Sequence, residues 1–273
     1  MILEDFIFDG ERLSDFECIV CSVLTNMEEN VSLGSYISFE TLTNNITHEN
    51  KITKVSYDSP IVFNCDIIKK TPLGYEECYF TENEISEIMR WLNKTQYKKF
   101  EPIYEDYSYP GVYFMGTFNV KSIKLNGYVI GFSLEFTSDA PWGFVDKVRV
   151  LEIEKGGNEA VLFHDSEHEG ILYPSRIKIT CNEDADELVI KNLQDVGIPT
   201  TIKNCSKGEN ININCRTKYL ETDDFVHSTI RNDFNYRYPR IIGERKDKTN
   251  TFSVSHACTI EFEYAAIRKV GIV

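Results

Sequence analysis

Long apolar runs are missing from this chain of 273 residues. No stretch reaches the ~20 apolar residues that a membrane helix needs, which excludes a helical span. Positive charge is also in short supply: 29 Lys and Arg stand against 43 Asp and Glu, a formal net charge of −14. A field of that sign repels phosphate backbones and anionic membrane surfaces, so no direct nucleic-acid binding and no membrane partner is expected. Glycines are scattered, and neither GxGxxG nor GxxxxGK[ST] occurs, so no phosphate cradle is expected. A GxSxG nucleophile elbow is absent as well. The opening Met1-Ile2-Leu3-Glu4-Asp5 has no basic n-region and no long apolar h-region. The expectation is a chain without a secretory signal that folds in a reducing cytoplasm. Its eight cysteines, Cys18, Cys21, Cys65, Cys78, Cys181, Cys205, Cys215 and Cys258, are then expected mostly as buried free thiols.

Hydrophobic residues (42%) and charged residues (26%) are present in the proportions of a folded protein, with apolar material enough for two cores. Tyr (15) and Phe (17) far outnumber Trp (2), and such aromatics pack well on a pleated surface. Strand composition recurs at Phe16 to Leu24, Ile52 to Tyr57 and Ile61 to Lys69, while Val31 to Thr43, rich in Ser, Gly and Thr, reads as loop plus a weak strand. One segment reads as a helix. Thr81-Glu82-Asn83-Glu84 has the capping-box form, and Ile85, Ile88, Met89 and Leu92 follow at the spacing of one buried face. Trp91 sits beside that stripe, and the helix is expected to end near Asn93-Lys94.

Tyr104 to Tyr113 reads as a tyrosine-rich loop with Pro110-Gly111 as a turn. Two strands, Tyr113 to Ile123 and Tyr128 to Phe136, are joined around Asn126-Gly127, a strong tight-hairpin signal. The pattern breaks at Ser138 to Gly143, which places a boundary between domains 1–140 and 141–273. Beyond it come short strands and no convincing helix: Val148 to Ile153, Arg176 to Cys181, Leu188 to Ile190, Asn210 to Cys215 and Thr251 to Tyr264. That spacing predicts a β-sandwich or jelly roll.

Four groups of residues invite a chemical reading. Cys18-x-x-Cys21 lies in a strand-like run where positions i and i+3 face opposite sides, with no second CxxC to complete a zinc site. Core or surface thiols are expected there. His164-Asp165-Ser166-Glu167-His168 is not HExxH and lies among strands and loops, so a solvated loop is expected rather than a metal site. Asp184, Asp186, Asp223 and Asp224 could be imagined as glycosidase acids, but surface carboxylates are expected in a chain this acidic. Tyr104, Tyr107, Tyr109 and Tyr113 fit either a core or a binding surface, since Tyr offers large area at low entropy cost. No catalytic residue, cofactor-binding residue or metal ligand is expected, and no cofactor. The residues alone lead to a two-domain, mainly β protein without a recognisable active site.

Several segments, in order along most of the chain, resemble siphophage distal tail proteins. Asp9-Gly10-Glu11-Arg12-Leu13-Ser14-Asp15-Phe16-Glu17-Cys18-Ile19-Val20-Cys21-Ser22 is similar to the family's opening, although the family often has Gly where Glu17 stands. Tyr57-Asp58-Ser59-Pro60-Ile61-Val62-Phe63 resembles its strand before the helix, and Arg90-Trp91-Leu92 its helix. Ser138-Asp139-Ala140-Pro141-Trp142-Gly143-Phe144 resembles its inter-domain junction. Arg231-Asn232 to Pro239-Arg240-Ile241, Asn250 to Ser255 and Arg268-Lys269-Val270-Gly271 resemble its closing part.

The resemblance implies an N-terminal β-rich domain with one α-helix that closes into a homohexameric ring. It also implies a C-terminal galectin-like β-sandwich. The implied partners are copies of the chain itself, the tail tube protein, and a tail-associated or tail fibre protein, extending to a receptor-binding protein. The implied location is the virion tail tip, after assembly in the bacterial host cytoplasm, and the implied role is structural rather than enzymatic. An alternative is a carbohydrate-binding module for the host surface, and a third reading is a hydrolase.

Overall fold

The computed structural model describes residues 2–21, 37–43, 50–57, 60–70, 79–156, 159–167, 169–243 and 247–269. Two compact units divide them, Met1–Phe144 together with Lys269, and Val145–Arg268.

The first unit contains β1 (Leu3–Phe8), β2 (Glu11–Arg12), β3 (Cys18–Cys21), β4 (Ile37–Thr43), β5 (Asn50–Tyr57), β6 (Val62–Lys69), α1 (Glu82–Leu92), β7 (Lys98–Tyr104), β8 (Phe114–Leu125) and β9 (Tyr128–Ser138). Seven strands form one antiparallel sheet in the order β2-β1-β7-β8-β9-β6-β3, and β4 with β5 forms a separate hairpin. The β8–β9 connection is the expected tight turn. Leu125 pairs with Tyr128, and Asn126 and Gly127 have φ of 50° and 87°, as a type I′ turn demands.

Helix α1 begins as its sequence predicts. Thr81 Oγ1 accepts from Glu84 N, and Thr81 N donates to Glu84 Oε2 at 2.7 Å. Its buried face is Ile88, Trp91 and Leu92. Trp91, expected beside the stripe, is instead the central anchor. Its indole stacks on Phe16 at 4.3 Å and on Phe6 at 5.6 Å, and its Nε1 donates to Phe8 O at 2.8 Å. Phe8, Phe100, Phe118 and Phe136 extend this aromatic core.

The structure corrects three readings. Phe16 to Leu24 is not one strand, because Leu13–Phe16 form a 3-10 turn and the strand begins at Cys18. The turn ends on Glu17 in the left-handed region (φ 53°, ψ 32°). The residues after Cys21 in that segment, those of Val31 to Thr43 before β4, and Asp58-Ser59 lie outside the described residues. Before the tyrosine-rich loop stands β7, concealed by Pro102. The β7–β8 ladder ends at Phe100↔Phe114, so the proline sits where no bond to β8 is required. Thr251 to Tyr264 is two strands, interrupted at Ser255–Ala257.

The second unit contains β10 (Gly143–Ile153, whose first residues belong to the first unit), β11 (Glu159–Phe163), β12 (Ile171–Leu172), β13 (Arg176–Cys181), β14 (Ala185–Asn192), β15 (Thr200–Cys205), β16 (Asn210–Asn214), β17 (Tyr219–Thr222), β18 (Ile241–Ile242), β19 (Thr249–Val254) and β20 (Cys258–Arg268). A five-stranded sheet, β10-β20-β13-β16-β17, and a four-stranded sheet, β11-β19-β14-β15, share one core. Alternation produces it. Ile177, Ile179, Ile211, Ile213, Ile260 and Phe262 come from one sheet, and Leu188, Ile190, Ile202, Phe252 and Val254 from the other. Phe252 and Phe262 meet across the gap with ring centres 5.0 Å apart. This is a β-sandwich.

Candidate functional site

The sequence candidates are brought together in no catalytic arrangement. Cys18 is buried on β3 opposite Lys69, and Cys21 is half-buried opposite Asp66. Burial pushes the Cys18 thiol up to about 12, with Glu84 adding to the shift, which leaves it a poor nucleophile. His164 is fully buried, and burial, then nearby Lys248, hold its imidazole below the ordinary value. Asp165 beside it serves as the node of an ion-pair cluster, with Arg268 Nη2 at 2.8 Å, Lys147 Nζ at 3.3 Å and Arg149 Nη2 at 3.9 Å. Burial would raise the Asp165 carboxyl, but Arg268 and Lys147 outweigh it and hold it low. His168 lies outside the described residues.

Three of the four acidic candidates are occupied by the backbone, and the fourth, Asp186, is exposed on β14. Asp223 accepts from Asn210 N at 2.7 Å and from Asn210 Nδ2 at 2.8 Å, locking the end of the β16–β17 hairpin. Asp224 accepts from Val226 N at 2.8 Å, and Asp184 from Lys207 N at 2.7 Å. Each of these three therefore stabilises a turn.

The tyrosine cluster divides between the two readings. Tyr104 and Tyr113 are core residues, whereas Tyr107 is 83% exposed and Tyr109 is exposed as well. Tyr107 and Tyr109 have φ of 53° and 51°, a conformation that non-glycine residues rarely adopt. Tyr107 N donates to Tyr104 O and Val112 N to Tyr109 O, so backbone turns hold the loop in that form.

Other surface features carried no signal in the sequence. On the edge strands of the sandwich, Val148 and Val150 of β10 and Val161 and Phe163 of β11 are exposed. Arg149 Nε donates to Phe163 O at 3.1 Å, which ties these two strands together. Phe225 is 95% exposed beside a cleft of about 670 Å³ lined by Tyr219, Asp223, Asp224, Arg231 and Asn232. Exposed apolar groups of this kind are the usual material of protein contacts. Among the described residues, metal-capable side chains converge at one place that no motif marked: Cys181, Cys205 and Glu209.

Comparison with known proteins places both units. Residues 1–140 match a family model described as the phage tail protein N-terminal domain, and residues 142–264 match one described as the phage tail C-terminal domain. No curated protein matches the chain. Among solved structures, the chain resembles Dit (gp 19.1) of phage SPP1, described as a paradigm of the hub adsorption apparatus in phages infecting Gram-positive bacteria. The TM-score is 0.60 at 13% identity, over 97% of this chain and 99% of that one. It also resembles a chain of the phage P2 baseplate in its activated conformation with Ca, with a TM-score of 0.50 at 12% identity, over 97% and 98% of the two chains.

Proposed function

The chain belongs to the phage tail protein family, and on that premise we propose that it is the distal hub of a long, non-contractile tail. In this reading residues 1–140 close into a homohexameric ring at the end of the tail tube. Residues 141–273 form a galectin-like sandwich. The ring joins the tube protein to tail-associated and host-recognition proteins, works in the virion after assembly in the host cytoplasm, and catalyses nothing. The observation that carries the reading is the likeness to the SPP1 hub protein across nearly the full length of both chains. A partial likeness confined to the sandwich would fit many unrelated β proteins, because a fold hosts many functions.

The exposed Tyr107–Tyr109 loop and the apolar strand edges supply surface for protein contacts. One face of the Tyr219 ring is occupied, since the Arg231 guanidinium lies over it at 4.4 Å. The test is sedimentation and negative-stain microscopy of the whole chain, alone and with its tail tube protein. The expected result is a ring of six 31.5 kDa chains. Monomer under both conditions, or competable binding of one glycan without any ring, overturns the reading.

A further inference from the structure

Cys181 closes β13, Cys205 closes β15, and Glu209 occupies the turn before β16. The two Sγ atoms and a Glu209 carboxylate oxygen all lie within 4.8 Å of one another. All three residues are buried, and the Glu209 side chain has no exposed surface. Backbone bonds fix the arrangement: Gly208 N donates to Cys181 O at 2.7 Å and Cys181 N to Glu209 O at 2.9 Å. We propose that Cys181, Cys205 and Glu209 form a binding site for one thiophilic divalent cation of the zinc type, which pins the two sheets of the sandwich together.

The donor set is the first argument. Two sulfurs and one carboxylate oxygen suit zinc, and three protein ligands leave a fourth position for water. Orientation is the second. The Glu209 carboxylate is held from behind: Oε1 accepts from Thr222 Oγ1 at 2.5 Å and contacts His227 Nδ1 at 2.7 Å, while Oε2 accepts from Ser206 N at 3.0 Å. His227 Nε2 in turn lies 3.5 Å from Asp233 Oδ2. Outer contacts of this kind are what aim a carboxylate ligand at its metal.

Charge is the third argument. An empty site buries two thiol groups beside one carboxyl group. Binding replaces two thiol protons by the cation, so the site keeps a net charge of −1 while both sulfurs gain a partner. The site joins the sheets because Cys181 belongs to the five-stranded sheet and Cys205 to the four-stranded one.

The test uses the whole chain, reduced, stripped with a chelator and titrated with Co²⁺ and then Zn²⁺. One equivalent of Co²⁺ is expected to give a thiolate-to-cobalt charge-transfer band that Zn²⁺ abolishes. Cys181→Ser and Cys205→Ser should each lose the band. Cys215→Ser, which alters another buried thiol of the same core, should keep it. Glu209→Gln should keep the band but weaken binding at least about tenfold. No band in the unaltered chain, or a band that survives both cysteine variants, overturns the proposal. Should the serine variants fail to fold, Zn²⁺-dependent protection from thiol alkylation, mapped by peptide mass spectrometry, decides. Protection of Cys181 and Cys205 supports the site, and protection confined to other cysteines overturns it.

Discussion

The two units solve the same burial problem with different side chains. The first backs a single sheet with one helix, and rings fill the space: Phe6, Phe8, Trp91, Phe100, Phe118 and Phe136. The second lays two sheets face to face and fills the gap mainly with isoleucine, leucine and cysteine. The difference follows from geometry. A lone helix touches a sheet along one line, so a few large side chains must span the remaining volume. Two pleated faces interdigitate along their whole length, which suits β-branched residues projecting from each. Stability in the first unit is therefore concentrated in a few residues, and in the second it is spread over many.

The largest expected effect breaks that contrast at its centre. Trp91→Ala removes two stacked contacts and a hydrogen bond, and should cost about 3–5 kcal/mol. Ile213→Val in the sandwich should cost only about 0.5–1.5 kcal/mol. Both tryptophans, Trp91 and Trp142, lie in the first unit, so urea unfolding followed by tryptophan fluorescence reads that unit, and far-ultraviolet circular dichroism reads both. Equal losses from the two substitutions would show that the cores do not differ in this way.

An intermediate effect separates the units by pH. Asp165 is held below its unfolded value by Arg268 and Lys147, against the opposing effect of burial. Its contribution is complete above the unfolded carboxyl value of about 4 and disappears as pH falls through the lower, folded value. Acid titration of the unaltered chain and of Asp165→Asn, followed by circular dichroism at fixed urea, should show the variant less stable at neutral pH. The two should converge at low pH. Curves that run parallel to the acid limit would remove Asp165 from the account.

The smallest effect belongs to Glu17. The position takes φ 53° at the end of a 3-10 turn, a conformation that glycine adopts without steric cost. Glu17→Gly should relieve that strain and raise the stability of the first unit by up to about 1 kcal/mol, net of the greater freedom glycine has when unfolded. Tryptophan fluorescence in urea is the measurement. A lower midpoint would mean that the Glu17 side chain has a role its backbone does not reveal.

Features fixed by neighbouring residues were legible in the sequence: the Thr81–Glu84 cap, the Asn126-Gly127 turn, and the alternation of Arg176 to Cys181. The family, and a mainly β fold, were legible as well. What depends on distant partners was not. β1 carries a buried Asp5, which pairs with Arg12 at 2.6 Å and accepts from Phe6 N at 2.8 Å, and so does not alternate cleanly. β7 contains a proline that is acceptable only because its neighbour strand ends early. Trp91 looks peripheral to the helical stripe until Phe6 and Phe16 close over it. Among the site candidates, the tyrosines split between core and surface because the turns of their loop aim them differently. Cys181, Cys205 and Glu209 carry no recognised ligand motif in the chain, since the packing of one sheet on the other brings the two cysteines together.

The order of strands has a consequence for how the protein is made. In the first sheet, Phe6 pairs with Pro102, so the earliest strand waits for nearly a hundred further residues to leave the ribosome. In the sandwich, β20 lies between β10 and β13, so the five-stranded sheet is split until residues 258–268 emerge. A nascent chain stalled before that point exposes two unpaired strand edges, which invite pairing with neighbouring chains. Synthesis thus runs with the sandwich open until its last strand arrives, and a prematurely terminated product is marked for aggregation or degradation before it could enter a growing tail.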